Sequence, residues 1–193
     1  MGENMDNTTL IAVIVTVLFI YALYWKIIVL RNKVKESIAG IDVQLKKRYD
    51  LIPNMLNMAA KFMEHEKNLM NELTNLRTKA MSSSFEKSPK EKMELESMLN
   101  HKLSEFKVSM ENYPDLKSNQ TMITAMQSMN EVEEHIAAAR RFYNSNVTSL
   151  RNMVDIFPLN IIASMAGISS DTYPFFEADE NERKSIDSRD YFK

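Results

Sequence analysis

The chain has 193 residues, 45% apolar and 26% charged, enough for about one core-forming domain once a membrane segment is set aside. Three glycines and five prolines leave too little turn chemistry for an all-β or dinucleotide-binding fold, and the lack of cysteine excludes disulfides, thiolate metal sites and cysteine nucleophiles. A net charge of −2 exerts no global pull on nucleic acid, and the fifteen methionines read as core filling in place of leucine.

Leu10 to Trp25, LIAVIVTVLFIYALYW, carries no charge, and Ile27 to Leu30 extends it past Lys26. As a helix, Thr8 to Leu30 is about 35 Å long, enough for a hydrocarbon core of roughly 30 Å. Tyr21, Tyr24 and Trp25 gather at one end, as rings do at a membrane interface, and Lys26 snorkels from there to the headgroups. A cleaved signal peptide is the competing reading, but only Glu3 and Asp6 stand where a basic leader belongs, and no small-residue cleavage site follows. The expectation is a retained anchor. Lys26, Arg31, Lys33 and Lys35 crowd its carboxy-terminal side, which by the positive-inside rule places the amino terminus outside and the body in the cytoplasm of a single-pass inner-membrane protein. With Tyr24 and Trp25 they are the membrane-interface candidates. Lys46, Lys47 and Arg48 lie too far along the helix to join them.

From Val34 to Ala80 apolar residues recur at steps of three or four, with a kink or short break expected at Asp50 to Pro53. Ser82 to Ser88 reads as a loop. Ser88-Pro89-Lys90-Glu91 then offers an N-cap, a first-turn proline and the third-position acid of a capping box, and Leu95, Leu99, Leu103, Phe106, Met110 and Tyr113 continue one face. After a turn at Pro114 to Asn119, a third stripe runs from Met122 to Phe157. Pro158 ends it, and Leu159 to Ala166 forms a short helix before Gly167. The fold expected is all-α: a transmembrane helix, then an elongated antiparallel bundle of three long helices plus a short carboxy-terminal one. Its parts are residues 1–30 (anchor), 31–170 (bundle) and 171–193, an acidic, mostly extended tail whose Tyr173, Phe175 and Phe176 could dock.

Sites for chemistry are scarce. Di-iron bundles need Glu-x-x-His pairs, but Phe62, Met98 and Val132 precede His65, His101 and His135 at that spacing. Glu131 and His135 share a face yet make at most half a metal site, and Glu64, Glu66 and Glu134 read as helix surface. There is no glycine-rich phosphate loop and no nucleophile elbow. No catalytic, cofactor-binding or metal residue is therefore assigned. Asp42, Arg48, Asp50, Glu133, Arg140 and Asn144 resist a surface reading and are candidates for interhelical or partner contacts. Glu133 and Arg140, seven apart on one face, are expected to bridge to Arg48 and Asp50, and Asp50 to cap a backbone donor freed near Pro53.

LRNKVKESIAGIDVQLKKRYDLIPN, HEKNL, LRTKA, ENYPDLKSN, EEHIAAARRFYNSNV, FPLNIIA and FFEADE occur in the order seen in the LemA family, which the chain resembles from about residue 20 to 180. Ile38 stands where that family often has Trp, and Met122 where it commonly has Phe. The resemblance implies a bacterial membrane protein with one amino-terminal span and a helical bundle, without enzymatic activity or cofactor. One branch of the family builds magnetosome membranes. The leading functional expectation is a non-enzymatic, membrane-anchored scaffold or adaptor. The alternative is membrane organisation by self-associating bundles. Expected partners are the lipid bilayer, membrane or envelope proteins and a second copy of the chain, but not nucleic acid.

Overall fold

The computed structural model describes residues 7–177. It consists of α1 (Asn7–Ala59), α2 (Lys67–Ser82), α3 (Pro89–Met110), the single turn α4 (Pro114–Lys117), α5 (Gln120–Val154) and α6 (Leu159–Met165), with no strand among the described residues. The all-α expectation holds, and the amino-terminal helix is long and apolar as anticipated. The described chain forms two compact units, one of residues 7–41 with Arg141–Pro174, the other of Asp42–Arg140 with residues 175–177.

Two expectations about the helices are corrected. The first stripe does not run unbroken to Ala80. α1 stops at Ala59, the chain turns through residues 60–63 with Phe62 and Met63 amides both donating to the Ala59 carbonyl, and a 3-10 turn at Glu64–Glu66 leads into α2. The turn contains no glycine or proline, only residues that a helix tolerates. Its sequence mark is the gap in the stripe between Met63, which is buried, and Leu69. The stretch from Val34 to Ala80, expected as one helix, is therefore divided between α1 and α2.

The helix also does not break at Pro53. Proline there deprives the Tyr49 carbonyl of its i+4 amide partner, and a helix normally kinks to give such a carbonyl to water. Here Arg77 Nε, from α2, donates to the Tyr49 carbonyl at 2.6 Å. The freed group is an acceptor, so Asp50 has no donor to cap; it pairs instead with Lys46 on its own helix at 3.2 Å, in solvent.

In the second unit α2 and α3 pack side by side. The link between them buries Phe85. Ser88 and Pro89 begin α3 as expected, but the Ser88 hydroxyl makes no capping bond, so the capping box does not form. Leu99, Leu103, Phe106 and Met110 face the core of this unit with Ile52, Met55, Leu73 and Met129. The turn at Pro114 to Asn119 contains α4, which buries Leu116, and the Asn119 carboxamide oxygen then accepts from the Thr121 and Met122 amides to start α5.

In the first unit α1 buries Ile27, Val34 and Ile41 at seven-residue steps, and α5 buries Tyr143, Val147, Leu150 and Val154. The chain turns at Asp155 to Pro158 into α6. Gly167, at φ 68°, ends α6 in the left-handed region. The Ile168 amide then reaches the Ala163 carbonyl and the Gly167 amide the Ser164 carbonyl, a Schellman closure with Ala163 and Ile168 both buried. The chain returns along α5, where Arg151 Nη2 donates to the Tyr173 carbonyl at 2.9 Å and the Tyr143 hydroxyl to the Pro174 carbonyl at 2.8 Å. In the other unit the Phe176 ring meets Phe85 edge-on at 5.5 Å, under the Arg140 guanidinium at 5.1 Å. The remainder of the acidic tail lies outside the described residues.

Removing the donor to the Tyr49 carbonyl should be costly only while position 53 lacks an amide. Arg77→Ala is expected to cost about 1–3 kcal/mol in the natural chain and distinctly less in a Pro53→Ala background, where the restored backbone amide takes the same acceptor. A double-mutant cycle by chemical denaturation measures this. An equal cost in both backgrounds refutes the pairing.

Candidate functional site

The most unusual place in the described chain is a set of charges sealed inside the second unit. Arg48 has 0% of its surface exposed. Its Nη2 donates to Glu96 Oε2, and its Nη1 donates to Asn100 Oδ1 and to Glu133 Oε1, the last at 3.2 Å. Glu96 is equally buried, and its other oxygen accepts from the Tyr49 hydroxyl and lies 3.1 Å from Lys92 Nζ. Lys92 Nζ donates to the Tyr49 oxygen at 2.7 Å and to the Ala80 carbonyl at 2.5 Å, and it lies 5.1 Å from the Tyr49 ring centroid and 5.9 Å from that of Phe85. Residues of α1, α2, α3 and α5 thus meet in one network. Its two cations, Arg48 and Lys92, balance its two carboxylates, Glu96 and Glu133, as burial of charge requires.

Local geometry explains who takes part. Arg48 belongs to the buried series Ile41, Leu45, Arg48, Ile52, Met55 and Ala59, spaced 4-3-4-3-4 along α1. Lys92 and Glu96 belong to the matching series completed by Leu99, Leu103, Phe106 and Met110 on α3. Each charge therefore points inward because its position in the helical repeat does, and it is tolerated because an opposite charge meets it there, from facing helices for Arg48 and from the next turn of α3 for Lys92.

The electrostatics follow from this enclosure. Burial raises the Tyr49 pKa above the usual tyrosine value, the charge of Glu96 and the hydrogen bond to it add to the rise, Arg48 opposes it and Asp42 adds to it. The Asp42 carboxyl, reached by solvent but crowded, is also raised, by burial first, with Lys92 opposing and Glu96 adding. A phenol held neutral and two carboxylates held by cations form a locked arrangement.

Of the polar candidates, the structure brings Arg48 and Glu133 into contact and sets Asp42 beside Lys92 and Glu96. Asp50 stands apart with Lys46, and Arg140 lies over Phe176. Asn144 belongs to the first unit, half-buried, its carbonyl accepting from Thr148 Oγ1 at 2.9 Å. Sequence reasoning missed Tyr49, Arg77, Lys92, Glu96 and Asn100. For Lys92 and Glu96 the signal was available: stepping back from Leu99 by three and seven residues lands on them. His135 lies 3.7 Å from Glu131 with both side chains largely in solvent, and no cluster of three or more metal-ligating side chains occurs among the described residues.

The second notable surface is on α1. Its large apolar side chains from Leu10 to Tyr21 are 45–65% exposed, and this is the one described helix long and apolar enough to cross a membrane. Of the interface candidates, Tyr24, Trp25, Lys26, Lys33 and Lys35 are exposed and Arg31 is half-buried.

Residues 37–188 match the model of the LemA family, a stretch that contains the whole charge network. Protein LemA of Metamycoplasma hominis is 23% identical over 158 residues, covering 82% of this chain and 70% of that protein.

Two predictions follow from the geometry. Arg48→Ala leaves Glu96 buried without its strongest counter-charge and is expected to cost about 3–5 kcal/mol. Lys46→Ala, which breaks the exposed pair with Asp50, is expected to cost no more than about 0.5 kcal/mol. Denaturation of both variants in detergent decides it, and similar midpoints would contradict the enclosure.

The second concerns alkali. Burial pushes Tyr143 up to about 12, with Tyr173 adding to the rise and Arg151 opposing it, and Tyr49 is raised as well. Both phenols are thus weaker acids folded than unfolded, where the value is about 10. Their contribution to stability is fully present below about pH 10 and is lost as pH climbs through the folded values. Melting temperature should fall above pH 10, and Tyr143→Phe should remove part of that fall. An unchanged alkaline slope in the variant would count against it.

Proposed function

This chain belongs to the LemA family, and we propose that it is a non-enzymatic scaffold, held in the cell inner membrane by the amino-terminal part of α1 and presenting its helical body to membrane or envelope proteins. One observation carries the reading: a single unbroken helix exposes uncharged apolar residues from Leu10 to Trp25 and goes on to supply core residues from Ile27 to Ala59. In water the first stretch is unfavourable at about 25 cal/mol for each Å² of apolar surface exposed; in hydrocarbon that penalty vanishes. Anchor and core are one element with no linker between them. The basic residues Lys26, Arg31, Lys33 and Lys35 support an amino terminus outside and a body in the cytoplasm. The network around Arg48 supports a structural body, because its opposite charges pair with one another and fix which residues of four helices stand opposite.

The chain has no cysteine, so Ser188→Cys introduces a single thiol. In intact cells it should resist impermeant thiol reagents and react after permeabilisation; ready labelling of intact cells reverses the orientation. In-cell cross-linking of the full chain should then retain specific membrane or envelope proteins that a control carrying residues 1–30 on an unrelated soluble domain does not. Identical profiles for chain and control overturn the scaffold reading.

A further inference from the structure

A second uncharged run lies far along the chain from the span. From Ile156 to Ser170, IFPLNIIASMAGISS, no side chain ionises, and Asp155 and Asp171 close the run at either end. Ala163 and Ile168 fold inward and are buried. Ile156, Phe157, Ile161 and Met165 do the opposite, at 58, 74, 54 and 85% exposed. Ile161 and Met165, four apart in α6, share a helix face. Scattered exposed apolar residues need no explanation, but a cluster without a charge in it does.

Its depth can be read within the first unit alone. α1 leaves this unit at Ile41 and α5 enters it at Arg141, so the two helices run in opposite directions there. Asn146 Nδ2 donates to the Lys33 carbonyl at 3.5 Å, which sets those residues side by side. Eight residues on from Asn146, about 12 Å along the axis, is Val154, and eight residues back from Lys33 is Trp25. The turn into α6 therefore begins level with Tyr24 and Trp25. Ile27, at this same level, is fully buried, so protein already covers α1 there. The freely exposed stretch from Leu10 to Trp25 is about 24 Å long, short of a hydrocarbon core of roughly 30 Å. A bilayer centred on it reaches the next turn of α1, and at that depth lies the uncharged cluster.

We infer that α6 and the turn before it are a second membrane contact, seated in the interfacial layer of the bilayer that α1 crosses. Phe157, Ile161 and Met165 enter among the upper acyl chains, as the apolar face of an interfacial helix does to a depth of about 5–10 Å. Lipid is the occupant because the cluster continues, at one level, the surface that α1 offers to the bilayer. The inference rests on the membrane reading of α1.

Trp25 is the only tryptophan, which makes the test direct. The full chain is reconstituted in phosphatidylcholine vesicles brominated high on the acyl chain, and quenching of native Trp25 reports the span. Phe157→Trp and Met165→Trp, each in a Trp25→Phe background, report α6; both positions are exposed, so neither change disturbs the core. The expected result is quenching of both within about twofold of that of Trp25. Quenched Trp25 with both α6 probes unquenched overturns this inference alone. If the unquenched probes show blue-shifted emission, a protein surface, a second copy of the chain included, takes the place of lipid. Unquenched Trp25 overturns the membrane reading of α1 and this inference with it.

Discussion

A guanidinium sealed from water needs carboxylates in fixed positions, and that requirement organises the second unit. Arg48 cannot be buried alone, since removing such a charge from water costs several kcal/mol even after relaxation. Glu96 from α3 and Glu133 from α5 must both reach it, and Glu96 must in turn be shared with Lys92 and Tyr49. A one-residue slip of any of these helices would separate a buried charge from its partner. Apolar packing alone tolerates such slips far better, because a methionine-rich core repacks readily. The network thus supplies register in a core whose other residues specify it weakly.

Tyr49 ties this network to the course of α1. Its hydroxyl belongs to the charge cluster, and its carbonyl is the one that Pro53 deprives of a backbone partner. Arg77 answers that carbonyl from α2, and the helix continues through the proline to Ala59. The proline therefore serves as a docking point. It frees one acceptor at a chosen place, and only a donor from the neighbouring helix can satisfy it there. Register among the helices of this unit is set twice around one residue, by charge and by a backbone hydrogen bond.

The sequence disclosed the helices better than their joints. Stripes at three- and four-residue steps located α3, α5 and α6, because helical burial leaves a periodic mark, although α3 stops at Met110 and α5 at Val154, each three residues before the end its stripe suggested. The turn at residues 60–66 left only a gap in the stripe after Met63: its Ala, Lys, Phe, Met, Glu and His are all residues that a helix also accepts, and it buries Met63 in the folded unit. Pro53 misled for the converse reason, since its local rule is overridden by Arg77, twenty-four positions away. Among the polar residues, Arg48 and Glu133 stood out because they interrupt apolar stripes. Lys92 and Glu96 did not, being placed at the start of a helix rich in ordinary surface charge. Which of two acids on one helix turns inward depends on the phase of the whole stripe, and that phase is fixed only by Leu99 and the residues after it.

The two units distribute polarity in opposite ways. One hides the charged side chains of Arg48, Lys92 and Glu96 in its interior, with Glu133 at its edge, whereas the other exposes apolar side chains along α1 and around α6. For a chain wholly in water both choices raise the free energy, one by desolvating charge and the other by hydrating hydrocarbon. The first is offset internally, by mutual pairing. The second has no internal offset among the described residues, and an apolar medium, as proposed above, would remove its cost. That difference locates the proposed function. The unit holding the charge network pairs its charges within its own interior, while the exposed apolar side chains of the other unit, Leu10 to Tyr21 on α1 and Ile156, Phe157, Ile161 and Met165 around α6, are what the membrane reading proposed above rests on.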